Sequence, residues 1–453
     1  MGRNGPQNTT NLKRSFRSRA ELIRYVGEQF PKAAERNDAV SDIKGGRKAA
    51  LSKLKKIKPV RYGSTRNQLK GDVSRLSPYL RHGVLSLAEV RDYALELAGE
   101  KSPYKYVNEL SWRDYFVRVY AELGEKIFHD FGPYKTGVSL ESYVEDLPED
   151  VRNADTGAFC IDSFTKDLYT TGYLHNRQRL YMAAYIVHWR RVRWQAGASW
   201  FLEHLLDGDP SSNSLGWQWV ASTWRYKVYF WNRANFLKYG GKAYCEQCPL
   251  LDNGCPFQKS YQTLANELFD KPTIHPSQKG HGLDTSVLKS VEDVKAPTPD
   301  ISEEKTVVWV HGDTLNPEGP ALSAYKDAPA IWVWDEELLE SYNITLKRLI
   351  FIYESLLELP VKIRRGDVAS QVTAFAKEHK ATVIATTPSP SPRFDQIKQK
   401  LEQDFSVQVF PEAPFISPTK PLDLRSHAKY WWPTKSQAFK TTKMVTERGD
   451  LET

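Results

Sequence analysis

The run Leu205-Leu206-Asp207-Gly208-Asp209-Pro210-Ser211-Ser212-Asn213-Ser214-Leu215-Gly216-Trp217-Gln218-Trp219 packs two carboxylates, two carboxamides and two indoles into one short stretch. An ordinary core helix would fill those positions with Leu, Ile and Val. An acidic turn, a polar amide and paired Trp suit a flat aromatic ligand held by polar contacts and flanked by electron-rich rings. Trp217 and Trp219 are two apart and leave a helix in different directions, so different roles are expected of them. Ser74-Arg75-Leu76-Ser77-Pro78-Tyr79-Leu80 offers two hydroxyls at a predicted helix start, where they could cap the helix or bind phosphate. Glu109 and Arg113 share one helix face beside Trp112, a spacing that also suits a surface ion pair. Asn176 and Arg179 share a face by the same rule. Eight of the thirteen Trp lie between Trp112 and Trp231, among these polar motifs.

The chain has four cysteines, Cys160, Cys245, Cys248 and Cys255. Buried thiols and two disulfides are the plain readings, but a chain of 453 residues without a secretory signal does not need disulfides. Cys245 to Cys255 reads as a close-set chelating loop, with Cys160 as a fourth thiolate. Zinc ribbons usually use two CxxC knuckles, whereas three close Cys and one distant Cys suit a [4Fe–4S] cube.

These groups need a scaffold, and the chain is long enough for two or three domains with real cores. Hydrophobic content of 40% and charged content of 26% fit a soluble globular protein. No stretch approaches the ~20 apolar residues that span a bilayer, so no membrane partner is expected. The net charge of +8 suits an anionic partner. Lys44 to Lys70 contains no acid, and reads equally as a solvated basic face or a phosphate-binding one. Residues 1–20 read as a basic N-terminal tail, with an organelle transit segment as the alternative.

Residues 21–270 read as helix after helix. Tyr106 to Ile127 is one long helix, and Tyr173 to Leu206 another, broken near Gly197. Residues 271–304 read as a Pro- and Gly-bearing linker. Residues 305–417 alternate strand and helix. The predicted strands are Thr306–Val310, Ala330–Trp334, Ala381–Ala385 and Val407–Phe410. The predicted helices are Leu346–Leu357, Val368–Glu378 and Arg393–Gln403. That alternation implies a Rossmann-like α/β domain with a parallel sheet. Residues 418–453 read as a polar, basic tail, poorly packed or draped over another surface, apart from Tyr430-Trp431-Trp432.

The helical half resembles the flavin-binding domain of the photolyase/cryptochrome family. The resemblance is carried, in family order, by Gly45-Gly46, Tyr62, the Ser74 to Leu80 run, Glu109-Leu110-Ser111-Trp112-Arg113, Asp162, His175-Asn176-Arg177 with Arg179, and the run from Leu205. It implies an all-α domain holding a U-folded FAD. Tyr62, Ser74, Leu76 and Ser77 match contacts of its phosphates and ribityl chain, with Arg75, Arg113 and Asn176 among the cofactor contacts. Arg179 and Asp207 match an ion pair beside the isoalloxazine, and Asp209 a carboxylate near its polar edge. Asn213 matches the neighbour of flavin N5, where an amide accepts a hydrogen bond but hands over no proton. Glu109, Trp112, Asn176 and Trp219 match the pocket for cyclobutane pyrimidine dimers flipped out of DNA. Trp217 and Trp194 match an electron relay whose third member has no clear counterpart; Tyr143 lies nearby. Leu180 stands where many relatives have Met.

An iron–sulfur branch of the family has its first ligand fifteen residues before the position of His175, where Cys160 stands, and a later Cys-Pro-Phe like Cys255-Pro256-Phe257. Val307-Val308-Trp309-Val310-His311-Gly312-Asp313, with Asn316 and Ala321-Leu322, resembles the opening of the family's α/β antenna domain, which precedes the flavin domain in relatives. The resemblance therefore implies a circularly permuted order and an antenna chromophore of unidentified kind. The expectation is light-driven repair of pyrimidine dimers in DNA, with a cryptochrome-type photoreceptor as the alternative. A monomer is expected, cytoplasmic and nucleoid-associated if bacterial, or organellar.

Overall fold

A computed structural model describes residues 11–225, 227–252, 254–270, 288, 290–291 and 298–440. The helical half is built as the periodicity predicts, with local signals setting the ends. The long helix runs Tyr104–Leu123 and stops at Gly124, whose φ of 53° ends the α turn; a 3-10 segment follows over Gly124–Phe128. The stretch from Tyr173 contains Asn176–Ala184, a π turn over Tyr185–Trp189, and Trp194–His204. Its break falls at 190–193 rather than near Gly197. Arg191 takes a left-handed φ of 52°, and the backbone on either side of Val192 pairs with Val144. Gly197 sits inside the next helix because a Cβ there would run into the six-membered ring of Trp217. Asp209 caps Pro210–Ala221, accepting from the Ser211 N–H, with Pro210 at the first helical position.

The C-terminal half holds one all-parallel sheet of five strands. They are β1 (Thr306–Val310), β2 (Ala330–Asp335), β3 (Val361–Gly366), β4 (Val383–Thr386) and β5 (Ser406–Val409), in the order β3-β2-β1-β4-β5. β1, β2 and β4 are apolar and almost wholly buried, as strands covered on both faces must be. β3 escaped the sequence pattern because Lys362, Arg364 and Arg365 interrupt its apolar residues. Helices Leu346–Leu356, Val368–Glu378 and Pro392–Leu401 flank the sheet.

The two halves are not loosely tethered. One hydrophobic cluster runs from Leu54, Leu76 and Tyr79 of the helical half to Phe351, Leu349 and Trp334 of the α/β half. Gly45 is one place where the backbones come close: its N–H donates to Glu354 Oε2 at 2.6 Å, and a Cβ there would collide with the carbonyl of Phe351. The described part of the N-terminal segment is not a free tail. The N–H of Leu12 donates to the carbonyl of Ile363 at 2.7 Å, on β3. The Arg14 guanidinium serves the carbonyls of Leu356 and Leu359, closing the end of the Leu346–Leu356 helix. At the other end, His427–Ala438 forms a helix against Tyr104–Leu123, with Tyr430 and Trp431 buried. Of the predicted linker, Ser290–Val291 pairs antiparallel with Leu422–Asp423; residues 271–287, 289 and 292–297 lie outside the described residues. Among the described residues no helix is long and apolar enough to cross a membrane.

Because Gly45 meets backbone rather than a yielding side chain, Gly45→Ala is expected to destabilise the protein by about 1–3 kcal/mol. Urea unfolding measures this; an unchanged midpoint would contradict the close approach.

Candidate functional site

The helical half encloses a cavity of about 740 Å³, near the upper end of the roughly 300–1,000 Å³ of ordinary ligand sites. Four segments converge on it. Tyr62 and Ser74 to Ser77 form one side, the Tyr104–Leu123 helix a second, the start of Asn176–Ala184 a third, and the run from Leu205 the fourth. Of the residues singled out by sequence, Tyr62, Ser74, Arg75, Leu76 and Ser77 line it. So do Glu109, Trp112, Arg113, Asn176 and Arg179, and from the opening run Asp207, Asn213, Trp217 and Trp219. Leu180 lines it too.

Asp207 is 7% exposed and takes both oxygens to Arg179 Nη2, at 2.9 and 2.7 Å. Such a carboxylate is tolerable in the interior only because it is paired. Asp209 does not line the cavity. It accepts from Arg113 Nη1 at 2.7 Å and from the hydroxyls of Ser211 and Ser212, both at 2.9 Å. Burial pushes its carboxyl up, but Arg113, Arg81 and the two hydroxyls outweigh this and hold it well below the usual carboxylate range. Its direct work is to cap a helix and fix Arg113. Glu109 and Arg113 do not pair: Glu109 is held by Lys105 at 2.8 Å and Arg66 at 3.1 Å. Asn213 donates its NH2 to the carbonyl of Ala198 at 2.8 Å. That leaves its side chain an acceptor oxygen and one further N–H for a ligand.

Ser77 opens the Ser77–Arg81 helix, and no side chain caps that end. The two serine hydroxyls are therefore not used as caps of that helix. His175 caps Asn176–Ala184 through Nδ1, which accepts from the Arg177 N–H at 3.0 Å. Burial and Arg179 push the imidazole down to about 4, keeping Nδ1 free to accept. That cap sets the orientation of Asn176 and, one turn on, Arg179.

The aromatic walls have backing that sequence reasoning missed. His427, from the C-terminal helix, stacks on Trp112 with centroids 3.8 Å apart and planes 10° apart. Its Nε2 lies 2.9 Å from Ser111 Oγ, and Trp431 lies behind it at 6.2 Å, nearly parallel. The only available signal was the aromatic triplet 430–432 in an otherwise polar tail. Across the cavity, the Arg225 guanidinium lies 4.1 Å from the ring of Trp219, and Tyr229 packs on that ring at 5.3 Å. Trp217 lines the same cavity from another direction. It is 3% exposed and packs edge-on against Phe201 at 5.0 Å.

Trp194 lies outside this cavity. It donates from Nε1 to Asp130 at 2.6 Å and lines a second cavity of about 400 Å³ between the halves. Tyr120, Phe128 and Tyr342 share that lining, with Ser391 and Arg393 from the α/β half. Tyr143 is 4% exposed and packs on Tyr134 at 4.7 Å, so it is no surface terminus.

Cys160, Cys245, Cys248 and Cys255 line one small cavity with Trp231, Phe236, Tyr244 and Phe257. Burial and the other three thiols push the Cys160 thiol far up. Among the described residues no group of three or more His, Cys, Asp or Glu is placed to hold a metal ion.

Residues 106–243 match a family model described as the FAD binding domain of DNA photolyase. The chain is 37% identical over 188 residues to a chloroplastic/mitochondrial cryptochrome DASH of Oryza sativa subsp. japonica, covering 39% of this chain and 32% of that protein. It is 34% identical over 166 residues to a deoxyribodipyrimidine photo-lyase of Streptomyces griseus, covering 36% and 35%. The match thus spans about a third of the length of either relative. A Synechocystis sp. PCC6803 cryptochrome structure aligns with 52% of this chain and 55% of its own, at 26% identity and a TM-score of 0.41. Over residues 106–243 the helical half is thus similar to the FAD binding domain of DNA photolyase, and the relatives it aligns with are named photolyases and cryptochromes.

Proposed function

We propose that this chain repairs cyclobutane pyrimidine dimers in DNA by light-driven electron transfer from FAD. The observation that carries the reading is that one cavity is lined both by the flavin contacts Arg179, Asp207 and Asn213 and by the dimer contacts Glu109, Trp112, Asn176 and Trp219. Bound there in its reduced form, FAD supplies an electron donor that light makes strong enough to open the dimer ring. Asp207 fixes Arg179 toward the cavity. Asn213 presents an oxygen that accepts from a ring N–H and cannot protonate it. Trp112, held by His427, and Trp219, held by Arg225 and Tyr229, offer faces on which flipped bases stack. Glu109 offers a carboxylate edge to pyrimidine N–H groups. Arg66, Lys105 and Arg177 border the same cavity and suit the phosphates around the flipped site.

A blue-light photoreceptor role is the second reading, favoured by the likeness to proteins named cryptochrome DASH. The α/β half is assigned to the family's antenna domain in permuted order. The second cavity, with aromatic walls from both halves, supports a chromophore there.

The four cysteines are assigned to a [4Fe–4S] cluster. What supports the assignment is that all four line one small cavity, in the pattern of three close Cys and one distant Cys that suits such a cube. The cluster would tie the 245–255 loop to the Phe159–Thr171 helix.

Illuminating the reduced protein with dimer-containing DNA is expected to restore thymines. No restoration with FAD bound and fully reduced would leave the photoreceptor reading standing. Asp207→Asn strands Arg179 and is expected to weaken FAD binding by at least about tenfold; titration of the apoprotein measures it, and an unchanged affinity would place the flavin elsewhere. Iron and acid-labile sulfide are expected at about four each per chain, both lost in Cys160→Ser. Zinc at one equivalent, or no metal after anaerobic purification, would overturn that assignment.

A further inference from the structure

The turn that carries the flavin-site carboxylates is gripped from the other domain. Arg348 lies on the Leu346–Leu356 helix of the α/β half and is 3% exposed. Its Nε donates to the carbonyl of Leu205 at 2.7 Å, its Nη1 to Gly208 at 3.5 Å, and its Nη2 to Leu202. These carbonyls close the Trp194–His204 helix and form the turn before Asp209. A helix C-terminus and its unsatisfied carbonyls are where a cation is favoured. Thr345 adds a second tie, its N–H and hydroxyl donating to the carbonyl of Glu203 at 3.2 and 3.1 Å.

The position is a costly one for a cation. Burial and the nearby Arg81 push the Arg348 guanidinium down to about 9. Arg81 holds the same turn from the helical side, with Nε donating to Gly208 O at 3.1 Å, while its far nitrogen pairs with Asp313 of the α/β half. Gly208 has no left-handed φ that would require glycine. What excludes a side chain is Arg348: a Cβ at 208 would land on Nη2, with Cζ 2.7 Å and Nη1 3.1 Å away. Gly208 and Arg348 occupy one shared space.

We propose that Arg348 is a positioning residue of the flavin site, fixing the Leu205–Asp209 turn from the α/β domain so that Asp207 and Asn213 face the ligand only when the two domains are docked. Flavin affinity and domain docking are then linked, each favouring the other. The proposal rests on FAD occupying the large cavity, as read above.

The test compares Arg348→Met, Arg348→Lys, Gly208→Ala and the pair Gly208→Ala/Arg348→Ser with Arg348→Ser. FAD titration of the apoprotein and amide exchange over residues 205–213 are the readouts. Arg348→Met is expected to weaken FAD binding by about tenfold or more and to speed exchange in that segment, with the 245–255 loop unchanged. Arg348→Lys is expected to recover part of both. Gly208→Ala is expected to reproduce the loss. The double variant is expected to be no worse than Arg348→Ser, since the side chain it would strike has gone. Wild-type affinity and exchange in Arg348→Met, or additive losses in the double variant, would overturn the proposal. Should Arg348→Met fail to fold, Gly208→Ala and Arg348→Lys decide it by the same readouts. Should the unaltered protein take up no FAD, the functional reading fails, while the exchange arm still decides whether Arg348 holds the turn.

Discussion

Two carboxylates lie within three residues of each other in the interior, and each is paired with arginine. Asp207 and Asp209 are 7% and 6% exposed. A buried carboxylate without partners costs several kcal/mol. Their partners come from three places in the chain: Arg179 from the helix capped by His175, Arg113 from the long helix, and Arg81 from the short one. Arg348 meets the turn's carbonyls from the α/β domain. No one of these elements can move far without leaving a buried charge unpaired. That requirement ties the four elements to one another.

The same arrangement separates the surfaces of the cavity by function. The run from Asp207 to Trp219 supplies the polar edge and one indole face. Trp112 supplies another, made rigid by the His427 stack behind it. The C-terminal helix is thereby part of the site wall. Trp217 also lines the cavity, packed against Phe201, and Gly197 leaves room for its ring. The cysteine-lined cavity and the aromatic cavity between the domains are separate from this chamber.

What could be read from the sequence was whatever is encoded locally. Helix type and the buried strands β1 and β2 follow from period and apolar content. The residues around the large cavity could be named because polar and aromatic types cluster there and because the resemblance to the photolyase/cryptochrome family matched them position by position. What could not be read was set by distant partners. The pairing of Arg113 with Asp209 instead of Glu109 depends on two helices meeting. So does the stack of His427 on Trp112, 315 positions apart in the chain. β3 was hidden by charges that are satisfied by residues outside its strand: Arg364 by Asn11 and Glu378, Arg365 by Gln29. The break at 190–193 was misplaced because glycine at 197 reads as a helix breaker, whereas it serves a close approach.

The most direct measurement is a crystal structure of the protein reconstituted with FAD and an oligonucleotide carrying one cyclobutane dimer. The account predicts the flavin ring against Asn213 and the Asp207–Arg179 pair, with the dimer between Trp112 and Trp219 in the same chamber. A flavin bound outside that chamber, or a dimer left stacked in the duplex, would contradict it.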